Sequence, residues 1–386
     1  MQQLLSCLPV PPHFRWDWDG LMQTQLAPLF ERMHKTLQNP AWHGEGDVWT
    51  HTRMVCEALC TLADFRALPD AQRTALALAA LLHDAGKPAC TRLEDGVLVS
   101  PHHGAEGAAL TRKLLWEGFD LAGTPQKQQL REAVCFLIRY HTLPLHLSDN
   151  ADPALRARRT AANGQLCPLF SLHLLCLLAR ADVLGRIASD TQEKLLEIDL
   201  SREIAEEAGC LHAPYAFASP VTAHACLSGK SVWPDQMLHD DTWGEVILMC
   251  GLPGTGKDTW LREHFAALPS VCLDDIRREL GVKPTDRQGR VVQAAQEKAR
   301  EFLRSKQPFV WNATSLTPML RRKEIQLFEE YGARVRIVYL ETPWAENMRR
   351  NSGRSAKVPE SVIASMLGRI IPPERQEARN VEWLCI

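Results

Sequence analysis

From residue 47 to residue 210, apolar positions recur at helical spacing in "DVWTHTRMVCEALCTLADF", "QRTALALAALLHDAGK", "KQQLREAVCFLIRYH", "FSLHLLCLLARADVLGR" and "TQEKLLEIDLSREIAEEAG". Apolar side chains three and four residues apart share one helix face, so this stretch predicts an all-α domain. Between Leu211 and Thr242 the period decays into Pro, Gly, Ser and isolated aromatics, as a connector does. From Gly244 short apolar runs ("EVILMC", "SVCL", "PFVWNAT", "RVRIVYLE") alternate with amphipathic ones ("KDTWLREHFAAL", "RVVQAAQEKAREFLRSK", "PMLRRKEIQLFEEYG", "PWAENMRRN"). That alternation predicts a mainly parallel sheet covered by helices. The expected organisation is a helical bundle over residues 1–210, a linker over 211–243 and an α/β domain over 244–386.

Composition adds limits. The 386 residues are 45% hydrophobic and 23% charged, a globular composition sufficient for separate cores. A net charge of −2 supplies no global basic footprint, so any nucleic-acid contact must come from local Arg and Lys clusters. The triplet Arg156, Arg158 and Arg159 is one candidate, a solvated loop being an equal reading. Twelve cysteines without a C-x-x-C, many in apolar runs, read as reduced, buried thiols. The start lacks a basic region followed by a long apolar stretch, and no run has the roughly 18 apolar residues of a membrane span. A cytoplasmic protein without membrane partners is expected.

"GLPGTGKD" at 251–258 follows the predicted strand "EVILMC" and precedes a helical pattern, the context of a phosphate-binding loop. Gly254 and Gly256 let backbone amides turn toward phosphates, and Lys257 can reach the β- and γ-phosphoryl oxygens. The eighth position, where a hydroxyl would ligate magnesium, holds Asp258. Its carboxylate suits the metal but repels the phosphates without it; alternatively it only favours the helix dipole. Thr259, one helical step on, turns away by about 100°. After the next short strand, "CLDDIRREL" places Asp274 where a carboxylate can take a proton from an attacking hydroxyl, and Arg277 one turn further where it can hold an anion.

In the helical half, His51, His83, Asp84, His103, His141 and Asp182 stand on or beside predicted helices, with "HDAGKP" and "RADVLGR" as the distinctive neighbourhoods. His102 competes with His103; His43, His146 and His173 read as structural.

These segments resemble known families. "GLPGTGKDTW", "LDDIRREL", "NATSLTPMLRRK", "YLETPW" and "RRNSGRSAKVPESVIASM" together are similar to the phage-type polynucleotide 5'-kinases. The resemblance implies ATP and Mg2+, a 5'-hydroxyl acceptor, Asp274 as general base and Arg277 on the neighbouring phosphate. It also implies a lid in which Arg350 and Arg354 close over the donor phosphates, with Gly254, Gly256, Lys257, Asp258 and Thr259 as the nucleotide-binding set. Other triphosphates remain open as donors beside ATP.

"HDAGKP…HHGAEGA…RYH…RADVLGR" is similar to the HD phosphohydrolase superfamily, especially the HD domain attached to bacterial CCA-adding enzymes. This implies that His51, His83, Asp84, His103, His141 and Asp182 hold one or two transition-metal ions (Mn, Ni, Co, Fe or Zn), with Lys87 reaching the substrate phosphate. His103, rather than His102, matches the family motif. The combination resembles the bacterial HD-polynucleotide kinase family, which implies RNA end healing. One domain would remove a 2',3'-cyclic phosphate or 2'-phosphate, and the other would phosphorylate a 5'-hydroxyl on RNA, DNA being a further acceptor for the kinase. The alternatives are an HD nucleotidase joined to a small-molecule kinase, and an HD phosphohydrolase regulated by ATP.

Overall fold

The computed structural model describes residues 1–283, 286–354 and 357–386. The chain divides into two compact units, residues 1–121 with 126–215, and residues 122–125 with 216–386.

In the first unit the helices that the periodicity predicts are present, at Val48–Thr61, Asp70–Leu82, Pro125–Tyr140, Leu172–Leu184 and Thr191–Glu207, and others join them, among them Ala27–His34, His103–Lys113 and Pro153–Ala161. Asp47 caps the first, its Oδ1 accepting from the backbone N–H groups of Trp49 and Thr50 at 2.9 Å. Asp70–Leu82 is the central helix, because Ala75 to Leu82 are all buried and no face of that stretch is polar. Among the described residues of this unit the strands are confined to a small antiparallel hairpin, β1 (Arg92–Glu94) and β2 (Val97–Val99). A buried ion network locks His103–Lys113 against Pro125–Tyr140. Arg112 donates to Glu132 through Nε (2.9 Å) and Nη2 (2.8 Å), and Arg131 donates to the same carboxylate through Nε at 2.8 Å.

The second unit is a five-stranded, all-parallel sheet in the order β4 (Ser270–Cys272), β5 (Phe309–Asn312), β3 (Glu245–Cys250), β6 (Arg334–Glu341), β7 (Asn380–Cys385). β3 lies in the centre, buried at five of its six positions, with Leu248 opposite Trp311 of β5 and Ile337 of β6. This is the sheet expected from the sequence, and its carboxyl edge is where α/β folds of this kind bind ligands. The stretch 211–243, read as a connector, includes the helix Pro220–Leu227, capped by Ser219, whose hydroxyl accepts from Thr222 N. It has no polar face to give a period, so the pattern passes over it. All twelve cysteines are thiols outside any disulfide. Among the described residues no helix is long and apolar enough to cross a membrane.

Candidate metal centre and phosphate loop

Helix ends build the first centre. His51 lies in the opening turn of Val48–Thr61, His83 caps the buried Asp70–Leu82 helix, and His103 begins His103–Lys113. His141 directly follows Pro125–Tyr140, and Asp182 sits in the last turn of Leu172–Leu184. His51, His83 and Asp182 form one group within reach of a single ion; Asp84, His103 and His141 form another. Asp84 touches both. Its Oδ2 is 3.3 Å from His83 Nε2 and 3.7 Å from His51 Nε2, while its Oδ1 is 3.5 Å from His103 Nε2. His102, in a left-handed conformation just before the helix, lies outside both groups.

The outer nitrogens explain why the inner ones converge. His83, His103 and His141 each place Nδ1 against the carbonyl three residues earlier, on Ala80 (2.9 Å), Ser100 (2.7 Å) and Ile138 (2.7 Å). A carbonyl takes the Nδ1 proton, so Nε2 is the nitrogen of each ring that is left to offer a lone pair to a cation. His103 and His141 then face each other at 3.1 Å with two acceptors, and neither buried Asp84 oxygen has a hydrogen bond of good geometry among the described residues, Lys87 standing beside Oδ2 as an ion pair. Acceptors gathered in this way fit a cation, and the mixed imidazole and carboxylate set suits a transition metal. Burial, then the charges His103 and His83 would carry, pushes His141 down to about 3, keeping it neutral. Burial opposes a charged His51, but Asp182, with Oδ1 3.0 Å from Nε2, and Glu45 outweigh it and push the ring up to about 9. Burial also opposes the Asp84 carboxylate, yet Lys87 and His83 hold it well below the usual range. Lys87 Nζ lies 2.8 Å from Asp84 Oδ2 and donates to Gln38 Oε1 at 2.6 Å. Gly86 fixes this turn against the next helix: a Cβ there would meet the His103 carbonyl oxygen at 2.2 Å.

Three residues near this centre escape sequence reasoning. Glu45 Oε1 accepts from His43 Nδ1 at 2.8 Å and lies 2.8 Å from His51 Nδ1, the second an ion-pair contact off the hydrogen-bond line. Glu45 Oε2 accepts from the backbone N–H of Ile187 at 2.9 Å. His43, which the sequence reads as structural, stands beside the centre with its ring 4.7 Å from that of His51. Gln38 joins through Lys87. His146 pairs with Asp149 and His173 packs on His212, both away from the metal groups. The Arg156–Arg159 stretch belongs to the helix Pro153–Ala161 rather than a loop, and Arg158 is spent on the Ala208 carbonyl and the Tyr215 ring.

The second centre lies at the carboxyl end of β3. Gly254 and Gly256 adopt φ of 84° and 92°, the left-handed turns that expose backbone amides ahead of the helix Lys257–His264. Lys257 Nζ folds back onto the carbonyls of Gly251 (2.9 Å) and Leu252 (2.8 Å), and burial pushes its pKa down to about 8. Arg350 donates through Nη1 to the Thr255 carbonyl at 3.2 Å and through Nε to Glu346 at 2.6 Å, so it already stands at the loop. Arg354 is half-buried and contributes to the fall in Lys257. Asp274 and Arg277 form an ion pair at the start of the helix Leu273–Glu279, and Arg277 Nε donates to Gln288 at 2.8 Å. Asp258 accepts through Oδ1 from Asn312 Nδ2 at 2.8 Å, and Thr259 is exposed. Asn312, at the end of β5, is the partner the sequence motif does not announce.

The family model of the HD domain matches residues 48–185, and that of an AAA domain matches residues 246–373. The chain therefore joins an HD domain to a P-loop, kinase-like domain, with hydrolase and kinase features in one polypeptide. Solved structures with detectable similarity include one entitled "Structure of Pnkp1/Rnl/Hen1 complex" (16% identity, TM-score 0.28, 33% of this chain and 44% of that chain). A putative kinase from Chloroflexus aurantiacus J-10-fl (18%, 0.31, 36% and 87%) and a sugar kinase from Janibacter sp. HTCC2649 (20%, 0.28, 36% and 83%) are others. The chain spans less than half the length of the first.

Proposed function

We propose that the protein heals RNA ends, phosphorylating 5'-hydroxyl termini with ATP and hydrolysing 2',3'-cyclic phosphate and 2'-phosphate termini. The observation that supports this reading is the pairing, in one chain, of a carboxylate-bridged histidine cluster with a phosphate loop that has its own acceptor-side acid, Asp274, and arginine, Arg277. The choice of RNA ends over free nucleotides rests on the motif resemblance.

At the HD centre, His51, His83 and Asp182 would hold one divalent ion and His103 and His141 a second, with Asp84 between them. Bound there, the ions would supply Lewis acidity and a water deprotonated at neutral pH. Lys87 holds the substrate phosphate beside Asp84, and Gln38 fixes the Lys87 ammonium. Glu45 orients the His51 ring and keeps its Nε2 directed inward. At the second centre the loop amides and Lys257 hold the β- and γ-phosphates, and Arg350 and Arg354 neutralise charge on the transferring group. Asp274 accepts the 5'-hydroxyl proton, and Arg277 grips the adjacent phosphate.

The test uses RNA oligonucleotides with 5'-hydroxyl, 2'-phosphate or 2',3'-cyclic phosphate ends, offered with ATP and a panel of divalent metals. Asp274→Ala abolishes 5'-phosphorylation alone, and Asp84→Ala abolishes phosphate-ester hydrolysis alone. Survival of both activities in both variants refutes the site assignment. Preference for free nucleosides over oligonucleotides refutes the end-healing reading in favour of a small-molecule kinase.

A further inference from the structure

β5 runs parallel to β3, with Trp311 opposite Leu248, so its last residue, Asn312, ends beside the phosphate loop that leaves β3. Asn312 Nδ2 donates to Asp258 Oδ1 at 2.8 Å. The amide orientation follows from chemistry, because its oxygen turned toward a carboxylate would be repelled. Two oxygens, Asp258 Oδ2 and Asn312 Oδ1, then have no hydrogen-bond partner among the described residues.

P-loop enzymes generally hold their magnesium between a hydroxyl on the residue after the loop lysine and a carboxylate from a neighbouring strand. Here both positions are occupied in reverse. The carboxylate stands after Lys257 and the neutral oxygen stands at the strand end. The pair retains one negative charge and one neutral oxygen ligand, both hard donors that suit magnesium.

We propose that the metal-binding carboxylate of this phosphate loop has been exchanged between strand and helix: Asp258 is the anionic ligand of the nucleotide's divalent cation, and Asn312 is the residue that positions it. This rests on the reading of residues 244–386 as a nucleotide-binding unit and is independent of the phosphate acceptor. An anionic group this close to the donor phosphates opposes ATP that arrives without metal. Nucleotide binding is therefore more steeply metal-dependent than in a loop with a hydroxyl at the same place.

The intact two-unit chain tests this without turnover. Mn2+ binding in the presence of ATP is followed by loss of the free-ion electron paramagnetic resonance signal, and ATP binding with and without Mg2+ is measured by calorimetry. Asp258→Ser weakens Mn2+ by about tenfold or more, the range typical of a lost metal partner, and tightens metal-free ATP binding. Asp258→Asn keeps the side-chain shape, guards against misfolding as the cause, and gives the same two shifts. The double variant Asp258→Ser, Asn312→Asp restores Mn2+ affinity to within about threefold of the parent, roughly 0.7 kcal/mol. Parent-like Mn2+ affinity in both single variants, or a double variant as weak as Asp258→Ser, overturns the exchange while the nucleotide site stands. Absence of Mg-ATP binding by the parent overturns the nucleotide reading and the exchange with it.

Discussion

Glu45 stands beside the proposed metal centre without being one of its proposed ligands. Its side chain is almost wholly buried, and one oxygen serves two imidazoles, those of His43 and His51. Burial alone would favour the acid; those two imidazoles and the Ile187 amide outweigh it and hold the carboxyl well below its usual range. A neutral amide in place of this carboxylate would keep the shape but lose the charge that stabilises His51 in its ligating orientation. Glu45→Gln therefore lowers metal affinity at this centre by about 10–100-fold. Competition against a chelating dye reads this directly, and an unchanged affinity contradicts the role. The six ligand candidates could be read from sequence because the "HDAGKP" and "RADVLGR" neighbourhoods and their family order mark them. Glu45, His43 and Gln38 could not: they lie in the segment between the helix Ala27–His34 and the helix Val48–Thr61, where no periodicity says which side chains turn inward. Asn312 was hidden for a different reason, since an Asn ending a buried strand acquires meaning only when the neighbouring strand's loop is in place.

Between helices, two buried carboxylates have opposite consequences. Glu132 pairs with both Arg112 and Arg131, all three side chains at most 5% exposed, and thereby joins the helix that starts at His103 to the one that ends before His141. Glu132→Ala removes the carboxylate that both buried guanidinium groups share and costs about 3–5 kcal/mol, measured by urea unfolding. Glu324, on the helix Pro318–Glu330, has no ion pair of this kind among the described residues: one oxygen is unsatisfied, and burial pushes its pKa up from 4.5 to about 7. Below pH 4.5 folded and unfolded chains both carry the proton. As pH rises from there to 7 the unfolded chain loses it first, so stability falls, by a total of about 3 kcal/mol, and then stays level. Glu324→Gln removes this slope and raises the melting temperature at pH 8; an unaltered pH profile would mean that Glu324 ionises normally. Elements with a buried face were legible by their period, including the central strand and the long helices around the metal cluster. β7, "NVEWLC", was not, because only one of its six residues is buried and its pairing with β6 is a long-range choice. The β1–β2 hairpin escaped for the same reason, having no buried position.

The chain divides into two compact units, and with the ligands proposed for each its stability is expected to divide in the same way. The first core includes the buried Asp70–Leu82 helix, and the second packs Ile247 and Met249 of β3 with Val310 of β5 and Val338 and Leu340 of β6. A ligand that binds only the folded form stabilises the unit that holds it, by about 2.7 kcal/mol at a concentration one hundred times its dissociation constant. Metal at the histidine cluster therefore acts on the first unit, and Mg-ATP at the phosphate loop acts on the second. In differential scanning calorimetry a transition-metal chelator that spares magnesium lowers one transition, while Mg-ATP added after chelation raises the other. Asp84→Ala removes the first response and keeps the second; Lys257→Ala does the reverse. If either ligand moved both transitions equally, the two centres would be coupled through a shared folding unit, and the separate loss of activities expected for Asp84→Ala and Asp274→Ala would fail for the same physical reason.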